Sequence, residues 1–557
     1  MPPHDILATA DILHEIFQHL RVTIPGAGKD ISILEVQENQ RTLSRAARVS
    51  KAFCDPALRS LWWAIPSGIE PALMLLSAVH VVQTPRFITW APEDIQALPQ
   101  YDISLEREIS TSDWARFTTY AAYIRFIYNT RTSERRPIPH DLLSALRALS
   151  NGKPLFPHLK VYTWDPSTLH HVELSLFVPQ GLNSLIVDVP DNDLGLEFRN
   201  NGDSTSFASD LDSATQSLRS LLALDFRKLP GASGDQAVWM LVIQRWRDLQ
   251  LLSFDFTFPL SDMVLFKKLS QLPALRELVL NICLPSEVAS HDLDFRGFPA
   301  LQTLTLRLHN RFLTSVLPVF ASPRLVSLSV ESYVRDSAEV ASAFNLVAGM
   351  YRTLRTVTFR WTCPELPRIA PELDDFDTVF GSLLHLHTIE EFTLRTPRAL
   401  FVSTGGDAEL ARLAQSWPKL RVLSLYATLR GPLTHTALLP FAHGCPDLRT
   451  LHLRNVVFLH LTAETFAAIA TPAPAAHRLQ ELHICDALVD DASEAPSAEL
   501  ISRLFPSARW YPLAWSSRSG RECCSHAGFS CNVAMAKLVP HGASPEVLNP
   551  GFEVLRG

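Results

Sequence analysis

The sequence predicts an α/β solenoid in which short parallel strands alternate along the chain with helices. Three observations support this prediction. A six-residue phrase recurs along most of the 557 residues, and segments with helical spacing lie between its copies. In addition, 47% of the residues are hydrophobic, which is enough for a large core, whereas a single core stops growing at roughly 250–300 residues. Several domains or a repeat array are therefore expected.

The recurring phrase has an apolar anchor, two variable residues and then apolar-x-apolar. Its better copies begin at Leu275, Leu301, Leu325, Leu354, Ile389, Leu420, Leu448 and Leu479, with spacings of 26, 24, 29, 35, 31, 28 and 31 residues. Weaker copies begin at Leu159, Leu182, Leu221, Leu249 and Ala508. Many anchors follow an apolar residue and a proline, as in Leu272-Pro273, Phe298-Pro299, Trp417-Pro418, Cys445-Pro446 and Phe505-Pro506.

This period and pattern are typical of leucine-rich repeats. Alternating apolar residues on a strand point to one side, so three inward side chains per repeat build the core while the strands pair in parallel. The alternative is an ordinary α/β protein, which has no reason to keep the phrase at a near-fixed interval. Parallel strands are expected on the concave face and helices on the convex face.

The segments between the copies divide the chain further. Helices are predicted at 338–350, 407–417, 463–469 and 497–505, with N-caps at Ser337, Thr462 and Ser497 and a further cap at Asp407. An acidic, Asn/Ser/Gly-rich stretch at 191–216 is predicted to be an irregular surface loop. The predicted divisions are a helical unit at 5–65, a helical linker or cap at 66–152, the solenoid at 153–515 and a tail at 516–557.

Residues 5–65 do not follow the repeat and carry two helical motifs. The first is ILHEIFQHL (12–20), and the second is LSRAARVSKAFCDPALRSLWWAI (43–65), whose apolar series is broken at Pro56. An insert at 21–41 separates them. Together they resemble an F-box, and an F-box followed by leucine-rich repeats is similar to fungal F-box proteins. The linker tract 113–127 also resembles a helix that many of those proteins carry.

This resemblance implies that the helical unit docks on a Skp-family adaptor, and through it on a cullin-RING ubiquitin ligase, while the repeats hold a protein substrate. The residues that match the family pattern, and that it places at the adaptor, are Ile12, Leu13, Ile16, Phe17, Leu20, Leu43, Val49, Ser50, Lys51, Phe53, Leu58, Leu61 and Trp62. The sequence departs from the family pattern in two ways. It contains the insert, and it has Ala8-Thr9 where the family has Leu-Pro. The alternative is a helical cap on the end of a non-ligase scaffold.

A candidate substrate surface follows the strands. The position after each final apolar residue holds Asn281, Arg307, Glu331, Arg360, Arg395, Tyr426, Arg454 and Cys485, of which four are arginine. Because adjacent strands lie ~4.8 Å apart, these arginines could form a basic track that binds an acidic or phosphorylated segment. His452 and His483, with Thr450 and Glu481, could add polar contacts. The alternative is a row of solvated strand ends.

Composition and motif searches exclude several other functions. A net charge of −7 argues against nucleic acid as a partner, and no apolar stretch reaches the ~20 residues that span a membrane. The start Met1-Pro2-Pro3 is not a secretory signal, so a cytoplasmic or nuclear protein is expected. No nucleotide-binding or hydrolase motif occurs, which predicts a non-enzyme without cofactor or catalytic residues.

The eight cysteines lack a disulfide framework and are interpreted as reduced thiols. Cys523, Cys524, His526 and Cys531 are soft ligands, but they lack the paired spacing of structural zinc sites. Similarly, His170, His171, His385 and His387 are interpreted as surface or strand residues. No metal site is therefore predicted.

Overall fold

The structure is a computed structural model. It describes residues 10–21, 33–66, 68–85, 99–128, 138–165, 171–188, 211–212, 215–216, 218, 220–227, 245–259, 267–283, 296–308, 313–334, 337–362, 375–396, 406–426, 433–454, 456–458, 477–485, 488–489 and 494–513. The chain divides into two compact units, Met1–Ala370 with Asp377–Ile389, and Pro371–Phe376 with Glu390–Gly557. The tail 516–557, most of the loop 191–216, the helix 463–469 and the Thr462 cap lie outside the described residues.

Three helices open the first unit: α1 (Ala10–Gln18), α2 (Ile33–Ala46) and α3 (Lys51–Leu61). Their buried core consists of Leu13, Phe17, Leu43 and Ala57. Leu13 and Phe17 are four residues apart and therefore share one face of α1. The hydroxyl of Ser50 caps α3 by accepting a hydrogen bond from the backbone N–H of Phe53 at 3.3 Å. The helix continues through Pro56, where the apolar series of the sequence is broken, and both Pro56 and Ala57 are buried.

The first unit contains a sheet in which consecutive members pair in parallel. Its strands are β1 (Ala64–Ile65), β4 (Phe126–Ile127), β5 (Val161–Trp164), β6 (Ser184–Asp188), β7 (Ala223–Arg227), β8 (Leu251–Pro259), β9 (Glu277–Cys283), β10 (Thr303–Leu308), β11 (Ser327–Tyr333) and β12 (Thr356–Thr362). The register aligns the same position of each phrase: Leu304 lies between Leu278 and Leu328. The predicted parallel α/β repeat fold is therefore confirmed.

The stretch 66–152 contains strands as well as the predicted helices. Its helices are α4 (Glu70–Leu73), α5 (Thr111–Ala121) and α6 (His140–Ser150), and β2 (Val79–Pro85) pairs antiparallel with β3 (Pro99–Leu105). Because β1 and β4 contain only two residues each, they show no alternation that a sequence pattern could reveal. The parallel sheet thus begins at Ala64 rather than at residue 153.

Further helices of the first unit lie between its later strands. They are α7 (His171–Phe177), α8 (Leu313–Val316), α9 (Ser337–Met350) and most of α10 (Phe376–Phe380), with 3-10 turns at Leu317–Phe320 and Leu383–His385. The predicted helix at 338–350 corresponds to α9, which includes Ser337 as its first residue. No described helix is both long and apolar enough to cross a membrane.

The second unit repeats the same alternation. Its parallel strands are β13 (Glu391–Arg395), β14 (Val422–Tyr426), β16 (Thr450–Arg454), β18 (Glu481–Cys485) and β20 (Arg509–Leu513), and a short second sheet consists of β15 (Leu433–Thr434), β17 (Val456–Phe458) and β19 (Leu488–Val489). Its helices are α11 (Asp407–Ser416), α12 (Leu439–Gly444) and α13 (Glu494–Leu504), with a 3-10 turn at His435–Leu438. Ser497, the predicted cap, is buried inside α13 instead.

The anchors of the phrase form the core, and several of them close a turn. All eight anchors of the better copies are fully buried. The anchor N–H of Leu420 donates to the carbonyl of Trp417 at 3.0 Å, and that of Leu448 donates to Cys445 at 3.1 Å. Proline follows each of these two acceptors, as expected at the second position of a type I turn. At these two repeats, the apolar-Pro element of the phrase is therefore the turn that leads into the strand, with its apolar residue buried.

Side-chain hydroxyls connect successive repeats of the first unit. Ser220, Thr353 and Thr388 each stand directly before an anchor, and they donate to the carbonyls of Leu182, Leu325 and Leu354 at 3.4, 2.7 and 2.6 Å. These carbonyls belong to the anchors of the preceding repeats, where a buried acceptor without a partner would cost about 1–3 kcal/mol.

Candidate functional site

In the first unit, the predicted basic track is interrupted by an acid. Arg307, Glu331 and Arg360 are register partners on β10, β11 and β12. Glu331 Oε2 lies 3.9 Å from Arg307 Nε and 3.7 Å from Arg360 Nη1. All three side chains are about 40–50% exposed, so these ion pairs contribute little to stability. They do reduce the positive field that the two arginines present on these strands.

In the second unit, the track residues differ in exposure. The guanidinium of Arg395 lies over the ring of its register partner Tyr426, 5.0 Å from the ring centroid. This cation–π contact holds the guanidinium at the strand end. Arg454 is 7% exposed and Cys485 is 3% exposed. Arg454 therefore does not present its charge to solvent as the sequence suggested.

Histidines occupy the same row on two adjacent strands of this unit. His452 on β16 pairs in register with Ser424 on β14 and with His483 on β18, and its ring centroid lies 4.1 Å from that of His483. Glu481 stands two residues before His483 on the same face of β18, with its Oε2 3.7 Å from His483 Nε2. The sequence placed these side chains on one surface, and the structure brings them into contact.

Hydrogen bonds fix the His452 ring on one side only. Its Nδ1 lies 2.6 Å from the Tyr426 hydroxyl and 3.2 Å from the Ser424 hydroxyl. Its Nε2 is buried and has no hydrogen-bond partner among the described residues. Burial, with smaller contributions from His483 and Arg395, lowers the pKa of His452 to about 4. The imidazole is therefore neutral near pH 7.

Nine of the thirteen predicted adaptor-binding residues are either packed in the core of the helical unit or exposed on it. Leu13, Phe17 and Leu43 are buried in the core of the helical unit, and Leu20, Phe53 and Leu61 pack against that core. The Phe17 and Phe53 rings meet edge to face, with centroids 5.9 Å apart. These six side chains build the unit rather than its surface. In contrast, Ile12, Ile16 and Val49 are 39%, 44% and 67% exposed.

Two of the four remaining members of the set line a groove between α3 and α5. Lys51 and Leu58 line this groove of about 480 Å³ together with Cys54, Asp55, Arg116, Thr119, Tyr120 and Tyr123. Trp62 contacts Tyr120, with ring centroids 5.2 Å apart, and Ser50 caps α3. The residues from α5 were not predicted, because nothing in the sequence indicates that α5 packs beside α3.

Two further buried histidines of the second unit make it sensitive to acid. Burial lowers the pKa of His435 below 6.5, against a smaller opposing effect of the Asp407 carboxylate. Burial also lowers the pKa of His477, while the carbonyls of Phe441 and Cys445 raise it and His443 lowers it. Between each lowered pKa and the unfolded value near 6.5, the unfolded chain binds more protons. Stability is therefore fully present above about pH 6.5 and is lost as the pH falls below it.

We expect the melting temperature to fall between pH 7.5 and pH 5, a range in which most carboxylates stay ionised. His435→Leu should reduce the dependence of the melting temperature on pH, because it removes one of the titrating groups. The substitution breaks no hydrogen bond of the ring, since neither ring nitrogen has a partner among the described residues. The exposed His443 serves as the control, and His443→Gln should keep most of the slope. An unchanged slope in His435→Leu would contradict the assignment.

The repeated phrase, its buried anchors and the parallel register define a leucine-rich-repeat protein. The chain is similar to the yeast Rad7 and Elc1 complex, with 16% identity and a TM-score of 0.33 over 66% of this chain and 86% of that chain. It is similar to LegL7 of Legionella pneumophila, a leucine-rich-repeat-containing protein, with 14% identity and a TM-score of 0.29 over 62% of this chain and 99% of that chain. It is also similar to the LRR ectodomain of the Arabidopsis thaliana receptor kinase GASSHO1/SCHENGEN3 (9% identity, TM-score 0.27), covering 71% of this chain and 48% of that one.

No family model matches the chain, and no curated protein matches it. The assignment to the repeat class therefore rests on the strands and anchors of the chain itself.

Proposed function

We propose that this chain is the substrate receptor of a Skp–cullin–F-box ubiquitin ligase, with the helical unit docking the adaptor and the repeats holding a protein substrate. One observation carries the proposal: some apolar residues of the two F-box-like motifs form a buried core, whereas others are exposed on the helical unit. Ile12, Ile16 and Val49 are three of the five large hydrophobic residues that are exposed in the described part of the chain. Exposed apolar side chains concentrated in one small unit are typical of an interaction surface.

A second candidate is a repeat scaffold whose helices only cap the sheet. The observation that favours it is the direct connection of the helical unit to the first parallel strand. Only two residues separate α3 from β1, and the guanidinium of Arg21 lies 4.3 Å from the ring centroid of Trp63. Gln40 Nε2 also donates to the carbonyl of Ala64 at 3.4 Å. Capping explains these contacts, but it leaves the exposed Ile12, Ile16 and Val49 without a role.

Co-purification with a Skp-family adaptor distinguishes the two candidates. Ile16→Asp and Val49→Asp should each weaken adaptor binding at least ~10-fold, because a carboxylate buried at an apolar interface lacks a partner. Both side chains are exposed, so both variants should fold. Phe17→Asp is unsuitable, because it would place a charge in the core of the unit.

Met74→Asp is the matched control, since Met74 is 61% exposed and follows α4 outside the two motifs. It should bind the adaptor like the unmodified chain, and the melting temperatures of all three variants should match. If the unmodified chain fails to bind any Skp-family adaptor, the receptor proposal is wrong and the scaffold remains. If Ile16→Asp and Val49→Asp both bind the adaptor as tightly as the unmodified chain, these two side chains are not part of the docking surface.

A further inference from the structure

His452, Glu481 and His483 lie together on two adjacent strands of the second unit. One potential ligand atom from each side chain lies within 4.8 Å of the other two. We propose that these three side chains bind a divalent transition-metal ion of the zinc class. The proposal is independent of the adaptor docking, because it involves only residues of the repeats.

The hydrogen bonding of His452 resembles that of a metal ligand. Metal-binding histidines almost always use their second ring nitrogen in a hydrogen bond, which fixes the tautomer and the orientation of the ring. Nδ1 of His452 is held by the hydroxyls of Tyr426 and Ser424. Its buried Nε2 has no hydrogen-bond partner in the described part of the chain, a state that costs free energy. A metal ion at Nε2 would remove this cost.

The distances require only side-chain movement. Tetrahedral Zn²⁺ with bonds of about 2.0–2.1 Å holds its ligand atoms roughly 3.4 Å apart, closer than the 4.8 Å limit found here. The side chain of Glu481 is 50% exposed and that of His483 is 22% exposed. Both can therefore rotate toward His452 while the strand register keeps their backbones fixed.

The ligand set selects the class of metal. Two imidazoles and one carboxylate suit Zn²⁺ and its neighbours, whereas Mg²⁺ and Ca²⁺ prefer oxygen ligands. The carboxylate of Glu481 supplies one negative charge, while Arg395 lies near enough to lower the pKa of His452 and so opposes a cation. Three protein ligands leave the fourth position of a tetrahedral ion open. A carboxylate, imidazole or thiolate of a bound protein could occupy this position.

Zn²⁺ titration by calorimetry tests the site on the full chain with Cys523, Cys524 and Cys531 replaced by serine. This background removes the thiols of the tail as a competing source of binding. We expect one Zn²⁺ to bind, Mg²⁺ not to bind, and Co²⁺ to give the intense visible absorption of tetrahedral coordination. His483→Gln and Glu481→Gln should each weaken Zn²⁺ binding about 100-fold or more.

Two further variants distinguish a built site from surface histidines. Tyr426→Phe removes a hydrogen bond to the second nitrogen of His452, and it should weaken Zn²⁺ binding about 10-fold, as loss of an outer-shell partner does. His443→Gln changes an exposed histidine on α12, so its affinity should equal that of the background. Glu481→Gln changes an exposed side chain by one atom and should fold normally. Unchanged Zn²⁺ affinity in Glu481→Gln or His483→Gln, or no Zn²⁺ binding in the serine background, would overturn the proposal.

Discussion

Replacing Trp417 with alanine is expected to lower the free energy of unfolding of the second unit by about 3–5 kcal/mol. Trp417 is fully buried, and its ring contacts that of Phe392 with centroids 4.9 Å apart. It occupies the turn between α11 and β14, where its N–H donates to Leu413 and its carbonyl accepts from Leu420, both at 3.0 Å. The alanine variant keeps these backbone bonds but leaves a large cavity.

The neighbouring repeat shows why the cavity would matter. Cys445 occupies the equivalent turn, and its thiol donates to the carbonyl of Trp417 at 3.6 Å. Burial raises the pKa of Cys445 to about 12, so the group stays protonated and keeps this bond. A collapse around position 417 would therefore disturb the next repeat as well.

Urea denaturation of the full chain measures the loss. Trp417→Phe should cost less than Trp417→Ala, because it retains most of the ring volume. Lys419→Ala alters an exposed residue of the same turn, and it should change stability by no more than ~0.5 kcal/mol. A loss below about 1 kcal/mol in Trp417→Ala would mean that the turn is not the packed element described here.

The fold was predictable wherever the repeat pattern of the sequence alone indicates whether a side chain is buried. Leu275 and Leu301 repeat with a period that only a parallel array explains, and both are fully buried. The weaker copy at Leu159 also falls at a buried anchor before a strand. In contrast, β1 and β4 are too short to show alternation. Ser497, which the sequence predicted to cap a helix, is instead buried inside α13, which begins at Glu494.

The candidate sites were less predictable, because they depend on neighbours in other repeats. The strand pattern placed Arg454 at a strand end, but it cannot indicate that this side chain is buried. The F-box resemblance gave Phe17 and Ile16 the same role, whereas packing buries one and exposes the other. For the histidines a signal did exist: the phrase carries His at the same position in two successive copies, at His452 and His483. The convergence of Glu481 and the hydroxyl of Tyr426 on that pair depends on the strand register.

Replacing Asp407 with alanine is expected to destabilise the second unit by about 3 kcal/mol. The structure gives this residue a different role from the one that the sequence predicted. The sequence predicted a helix cap, but the helix begins at Asp407 itself, and its carboxylate reaches the next repeat. It accepts hydrogen bonds from the backbone N–H of Thr434, at 2.8 Å, and from the hydroxyls of Thr434 and Thr436. A hydrogen bond to a charged group contributes about 1.5–3 kcal/mol, and the contributions of several bonds to one carboxylate are not additive.

These bonds fix the end of β15, the first strand of the short second sheet, and the start of the 3-10 turn that follows it. Their loss leaves three donors without their acceptor. Asp407→Asn should lose less stability, because one oxygen acceptor remains. Asp447→Ala is the control: Asp447 forms an exposed ion pair with Arg478 at 2.9 Å, which should contribute no more than about 1 kcal/mol. Urea denaturation of the three variants ranks them. Equal losses in Asp407→Ala and Asp447→Ala would show that the Asp407 carboxylate is solvated rather than bound to the two threonines.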